Sequence, residues 1–459
     1  MRYISTRAQT EPRTFVQAVI EGLARDGGLF VPETLPDFST QLEQLSSLSY
    51  KELALSIFQP FVGGEIKTEE LESLIEKSYS TFRTEEVTPL SFVDRLGILE
   101  LYHGPTLAFK DVALQFLGNL FELVLSRSDD HLTILGATSG DTGSAAIHGV
   151  RGKENIHIFM LHPKGRISPI QKKQMTTVLD DNVINIAIKG TFDDAQRMVK
   201  AIFNDLQFRD RYALGAVNSI NWARVMAQIV YYFYAAFRYM DHYKADKVVF
   251  SVPTGNFGDI YAGYLAKKMG LPIDKLILAT NENDILFRAI NSGIYKISTV
   301  HSTLSPSMDI QIASNFERFV FDVCKKDGSA VKEKMDQLND DHQFTLSAEE
   351  HAKAQESFIP VRVDTATTLS TMKRFYQKDV VLDPHTAVGV AAALACGFEN
   401  SIALATAHPV KFGDAVQQAT GHEPKLPESL QGILERPERC IEAENDQKAV
   451  QSIIETVLQ

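Results

Sequence analysis

Three times in this chain an apolar strand candidate runs into a glycine-bearing loop and then a helix candidate, which commits it to βα units feeding a largely parallel sheet. The first unit is a strand at residues 97–102, a His103-Gly104-Pro105 loop and a helix from about residue 108. Ala113, Phe116, Leu117, Leu120 and Val124 recur there at helical spacing, so one face is apolar and packs on the sheet. The second unit is a strand at 132–135, a loop at 136–143, a small-residue helix through Ala145, Ala146 and Ile147, and a strand at 156–161. The third is a strand at 247–252, a loop at 253–259, a helix to about Met269 and a strand at 276–279. Near the end, Asp383 as N-cap and Pro384 as first helical residue open a further helix that leads to the strand Ile402–Ala405. The fold class is α/β.

Length sets the number of cores. At 459 residues the chain exceeds the roughly 250 to 300 at which one core stops growing, so two or three domains are expected. Residues 1–92, with helix candidates at 14–23 and Thr68–Tyr79 around a loop at 26–32, suggest an added, α-rich N-terminal domain. Residues 93–240 then form a small sheet domain, and 241–459 a large one with a C-terminal helical tail. Within the latter, 325–355 is charged and polar and suits a surface insertion. The most apolar helix candidate, 220–240, contains Tyr231, Tyr232, Phe233, Tyr234 and Phe237. Arg224 and Arg238 interrupt it, leaving less than the ~20 apolar residues that cross a bilayer, so a buried helix is expected.

A net charge of -12 argues against a nucleic-acid or anionic-membrane partner, though a few local donors can still capture a small anion. The three cysteines, Cys324, Cys396 and Cys440, are far apart and unpaired by motif, which disfavours a disulfide framework or a zinc ribbon. The first residues lack the apolar core of a signal peptide, and a reducing, cytoplasmic setting is expected.

Candidate chemistry sits in the loops. Gly255, Asn256, Phe257, Gly258 and Asp259 follow a strand and open a helix, so several backbone N–H groups and the helix dipole converge where a phosphate is favoured. The segment lacks the Lys-Ser/Thr ending of a Walker A loop and the spacing of a dinucleotide fingerprint, and a tight βα turn with no ligand explains it equally well. Ser139, Gly140, Asp141, Thr142 and Gly143 have the same placement with three polar side chains, which suits a carboxylate or a ring hydroxyl; a plain capping loop explains them equally well. Lys110 stands in the apolar segment Leu107-Ala108-Phe109-Lys110 at a helix opening, where desolvation lowers its pKa and frees a nucleophilic amine. A lysine that snorkels or pairs with Asp111 is the alternative. Ser219 and Arg224, flanking the start of the apolar helix, suit capture of an anion, or else a cap and a surface arginine. His103, His385 and His408 show no metal-ligand spacing.

Taken together and in this order, the segments resemble the threonine synthase family of fold-type-II pyridoxal-phosphate enzymes, in its bacterial and fungal long form. The resemblance runs over nearly the whole chain, from Tyr3, Ser5, Thr6 and 27–32 through 103–111, 137–143, 190–194, 218–224, 252–259, 303–309 and 383–385 to 406–409. It implies two open, mostly parallel sheet domains plus an N-terminal domain, with pyridoxal 5'-phosphate as cofactor. It implies Lys110 as the Schiff-base lysine, residues 255–259 as the cofactor-phosphate loop and Thr406 beside the pyridine nitrogen. Asp141 would lie near the ring, Ser139 and Thr142 near the substrate carboxylate, and Ser219 and Arg224 on the substrate phosphate. The implied reaction is γ-elimination of phosphate from O-phosphohomoserine followed by β-addition of water, carried out by a monomer. A dehydratase of the same fold, or an anion-binding protein that has kept the fold without catalysis, are the competing readings.

Overall fold

A helix that is apolar on every side has to be covered on every side, and Trp222–Tyr243 is such a helix. In the structure, a computed structural model that describes every residue except Asp129, Arg166 and Gln459, its cover comes from helix Gly258–Lys268 and from the start of the chain. Helix Tyr50–Val62 places Tyr50 5.2 Å from Tyr234 and Phe61 5.7 Å from Trp222, ring centre to ring centre. Tyr3 reaches Trp222 from a short strand, Tyr3–Ser5, paired antiparallel with Phe30–Pro32. No helix among the described residues is long and apolar enough to cross a membrane.

These contacts explain the division of the chain. One unit comprises Met1–Phe109 and Ser219–Pro424; the other comprises Lys110–Asn218 and Lys425–Gln459. That differs from the three consecutive domains expected with cuts at 92 and 240. The N-terminal residues share a unit with the helix they cover, and the chain leaves that unit at Lys110 and returns at Ser219. A linear reading of composition carries no sign of such a detour.

The first unit is built on a six-stranded sheet in the order Phe358–Arg362, Ile273–Thr280, Val248–Pro253, Ile402–Ala405, Leu96–Glu100, Leu90–Val93. All neighbours are parallel except the last pair, which is antiparallel. From Val248–Pro253 the chain moves to Ile273–Thr280 on one side, whereas Ile402–Ala405 lies on the other. The carboxyl ends of Val248–Pro253 and Ile402–Ala405 therefore flank a topological switch point, where open α/β sheets bind ligands. Residues 325–355 hold two helices, Gly328–Asp341 and Ala348–Ser357, and a strand, Gln343–Thr345, paired with Ile294–Lys296.

The second unit has an all-parallel sheet in the order Ile441–Ala443, Val183–Ile188, Ile156–Pro163, Leu132–Ala137, Leu214–Gly215. Its switch point falls at the carboxyl end of Leu132–Ala137. Helices Lys110–Leu125 and Asp141–Val150 touch at glycines: a Cβ on Gly118 would lie 1.9 Å from Gly149 O. Gly118→Ala is therefore expected to cost about 1–3 kcal/mol of stability by forcing the helices apart. A urea midpoint equal to that of the parent protein would refute that close approach.

Candidate active site

The loop after Val248–Pro253 is shaped by three local facts. Gly255 passes so close to the 306–308 turn that a Cβ would sit 2.9 Å from Ser307 O, so a bare backbone is required. Phe257 adopts the left-handed conformation at φ 65°, and its ring is fixed among Phe316, Phe319 and Phe358 at 5.1, 5.9 and 5.4 Å. That aromatic anchor holds a conformation a non-glycine residue would otherwise leave. Helix Gly258–Lys268 follows at once, and among the described residues the amides of Gly255, Asn256, Phe257, Gly258 and Asp259 donate to no protein oxygen. Five free N–H groups at a helix amino end, with no side chain in the way, fit a phosphate such as that of pyridoxal phosphate. Asp259 contributes only its N–H, because its carboxylate is turned away: Oδ1 accepts from Tyr231 Oη at 2.6 Å and Tyr232 Oη at 2.9 Å. Burial pushes that carboxyl up to about 6, and the two hydroxyl donors hold it back from rising further.

Beside this loop lies the segment that opens the long helix. Asn221 is its cap, with Oδ1 accepting from Ala223 N at 3.1 Å. Ser219, expected to use the helix amino end, lies two residues before that cap, and its hydroxyl has no protein partner among the described residues. Arg224, in the first turn, is only 4% exposed. Neither its Nε nor its Nη1 finds an acceptor among the described residues. Burial lowers its pKa to about 10, so it remains a cation at neutral pH. Two carbonyls bind these segments together: Asn315 Nδ2 donates to Ser219 O and to Asn256 O, each at 3.2 Å.

Thr406 follows Ile402–Ala405, the other strand at the switch point. Its carbonyl accepts from Phe109 N at 2.8 Å, and His408 N donates to Leu107 O at 3.0 Å. Lys411 Nζ reaches Thr106 O at 2.7 Å. These bonds clamp residues 106–109, including Leu107 in the left-handed region at φ 64°, and so fix the point from which Lys110 departs.

Lys110 is the first residue of helix Lys110–Leu125 and is 8% exposed. Its Nζ lies 3.4 Å from Asp141 Oδ2. Asp141 comes from the neighbouring helix start, because both helices open at one end of the sheet. Gln171 Nε2 donates to the second oxygen, Oδ1, at 2.7 Å. Both carboxylate oxygens thus face donors. Thr138 caps the turn, its Oγ1 accepting from Gly140 N and Gly143 N at 2.9 Å each. Ser139 is exposed and Thr142 half-buried beside it, so both hydroxyls remain available to a ligand.

The site residues read from sequence thus fall into two groups. Ser219, Arg224, Gly255, Asn256, Phe257, Gly258, Asp259 and Thr406 lie in the first unit; Lys110, Ser139, Asp141 and Thr142 lie in the second. Sequence reasoning missed Thr138, Gln171, Asn315 and Arg318. Of these only Thr138 had a local signal, a hydroxyl two residues before a glycine that precedes a helix.

Family models described as threonine synthase N terminus, pyridoxal-phosphate dependent enzyme, and threonine synthase C-terminal match residues 2–79, 83–337 and 386–454. A threonine synthase of Pseudomonas aeruginosa is 48% identical over 463 residues, covering 99% of this chain and 98% of that one. One of Saccharomyces cerevisiae is 49% identical, covering 91% and 88%. The crystal structure of a pyridoxal-phosphate-bound threonine synthase from Brucella melitensis superposes with a TM-score of 0.96 at 46% identity, over 100% of this chain and 99% of that one. The chain belongs to the threonine synthase family of pyridoxal-phosphate-dependent enzymes.

Proposed function

We propose that this chain is a lyase that converts O-phospho-L-homoserine and water into L-threonine and inorganic phosphate, the last step of threonine biosynthesis. The Cγ–O bond breaks with its electron pair leaving on phosphate; the γ-carbon gains a proton to become a methyl group, and the β-carbon takes the hydroxyl of water. Bound pyridoxal phosphate supplies an electron sink for the pair released at the α-carbon.

The protein's own groups do the rest. Lys110 Nζ is the amine that carries the cofactor between turnovers, and once displaced it is the base that takes the α-proton and then a β-proton. Asp141, steadied by Gln171, stabilises the ammonium that Lys110 becomes after each proton is taken. The amides of 255–259 would hold the cofactor phosphate, and the Thr406 hydroxyl would serve the pyridine nitrogen as a neutral partner that leaves it uncharged. Ser139 and Thr142 take the substrate carboxylate. Ser219 and Arg224 take its phosphate and keep it after the Cγ–O bond has broken.

The observation that carries this reading is Arg224, a buried cation whose Nε and Nη1 have no acceptor among the described residues. Such a group is costly unless an anion arrives to meet it. We read the protein as a cytoplasmic monomer with a small-molecule substrate and neither nucleic-acid nor membrane partners; light scattering should return the mass of one chain. The functional test is product analysis with O-phosphohomoserine. Phosphate and threonine should appear in equal amounts, whereas phosphate with 2-oxobutyrate and no threonine would overturn the assignment in favour of a dehydratase.

A further inference from the structure

We propose that Asn315 is a positioning residue that fixes the spacing and aim of the two phosphate-directed segments, 218–224 and 255–259. The inference rests on the functional reading above and adds a residue to it. Asn315 is fully buried, and every polar atom it has is engaged. Its Nδ2 donates to Ser219 O and Asn256 O, both at 3.2 Å, and its backbone N donates to Asn256 O at 3.1 Å. Its Oδ1 accepts from Arg318 Nη1. The amide has one possible orientation, since the flipped form would set its oxygen against two carbonyls and its NH2 against a guanidinium.

Peptide geometry turns this anchoring into aim. In a trans peptide the C=O and the following N–H point in opposite directions. Drawing Asn256 O towards Asn315 therefore turns Phe257 N–H away from it, and drawing Ser219 O the same way turns Ile220 N–H outward. Arg318 extends the arrangement to the next peptide: its Nη2 donates to Ile220 O at 2.6 Å, which sends Asn221 N–H away in turn. Arg318 is itself fully buried and held by Phe30 O, at 3.1 Å from Nε and 2.9 Å from Nη2. Burial lowers its pKa to about 10, leaving it charged at neutral pH. One asparagine braced by one arginine thus orients carbonyls in both segments, so that their amides face away from the brace.

Asn315→Asp is the sharpest test, because it keeps the shape and the bond to Arg318 but replaces the shared donor with an oxygen that repels both carbonyls. The holoenzyme is assayed for KM and kcat with O-phosphohomoserine, and cofactor-free protein is titrated with pyridoxal phosphate by its visible absorbance. Both KM and the cofactor Kd should rise about tenfold, the loss expected for a buried donor replaced by a repelling oxygen, while kcat at saturation changes less than about threefold. Asn315→Ser, which cannot reach either carbonyl, should do the same. If only one constant rises, if neither does, or if kcat alone falls, the inference fails. It fails too if neither variant folds, since the residue is then purely structural. A parent enzyme that releases no phosphate from O-phosphohomoserine would instead sink the functional reading, and the control arm reports that separately.

Discussion

Lys110→Ala should lower the rate of threonine formation by at least about 1000-fold, because the proposed function makes one side chain both the cofactor's amine and the proton-transferring base, and acid–base catalysis alone is worth ~10²–10⁴. The geometry allows a control that separates chemistry from folding. Lys110 Nζ is buried against Asp141 Oδ2 at 3.4 Å, so alanine also removes a cation from beside a buried carboxylate and should destabilise the protein. Lys110→Arg keeps a positive charge within reach of Asp141 and should melt closer to the parent protein. It should be as inactive as the alanine variant, since a guanidinium gives up no proton at working pH. Stability and activity therefore part company between the two variants. The cofactor's visible band should be lost or weakened in both, and an alanine variant that keeps a tenth of the parent kcat would remove Lys110 from its assigned role.

What the sequence revealed and what it concealed follow one physical line. Strand candidates at 132–135, 156–161 and Ile402–Ala405, and the helix opened by Asp383 and Pro384, all appear in the structure, because hydrophobic period and caps act over a few residues. The loop at 255–259 was legible for the same reason, a strand end, two glycines and a helix start. Partnerships across the fold were not. Asn315 reaches back 96 residues to Ser219 and 59 to Asn256, and nothing near it in sequence says that a polar side chain will be buried there. Lys110 could be placed in apolar surroundings, yet its partner Asp141 stands 31 residues away, beyond the reach of any local pattern. The two-unit division escaped for the same reason, since tertiary packing of the N-terminal helices on Trp222–Tyr243 decides which residues share a core.

Arg224→Met should raise KM for O-phosphohomoserine roughly 100-fold, the worth of about two charge-assisted hydrogen bonds to phosphate. The same substitution should leave the ligand-free protein as stable as the parent or more so. A guanidinium without an acceptor at Nε or Nη1 costs desolvation energy in the empty protein, and methionine fills similar space without that cost. The opposite signs are the discriminating feature, because an arginine retained for architecture would lose stability and substrate affinity together. Arg224→Lys should fall between, since an ammonium offers charge but no planar fork for two phosphate oxygens. Inorganic phosphate gives an independent readout: in cofactor-loaded protein, where the proposed cofactor site at 255–259 would already be filled, it should raise the melting temperature of the parent and leave that of Arg224→Met unchanged. Equal phosphate stabilisation in both, or an unchanged KM in the methionine variant, would mean that the substrate phosphate is held elsewhere and that the uncompensated charge serves another anion.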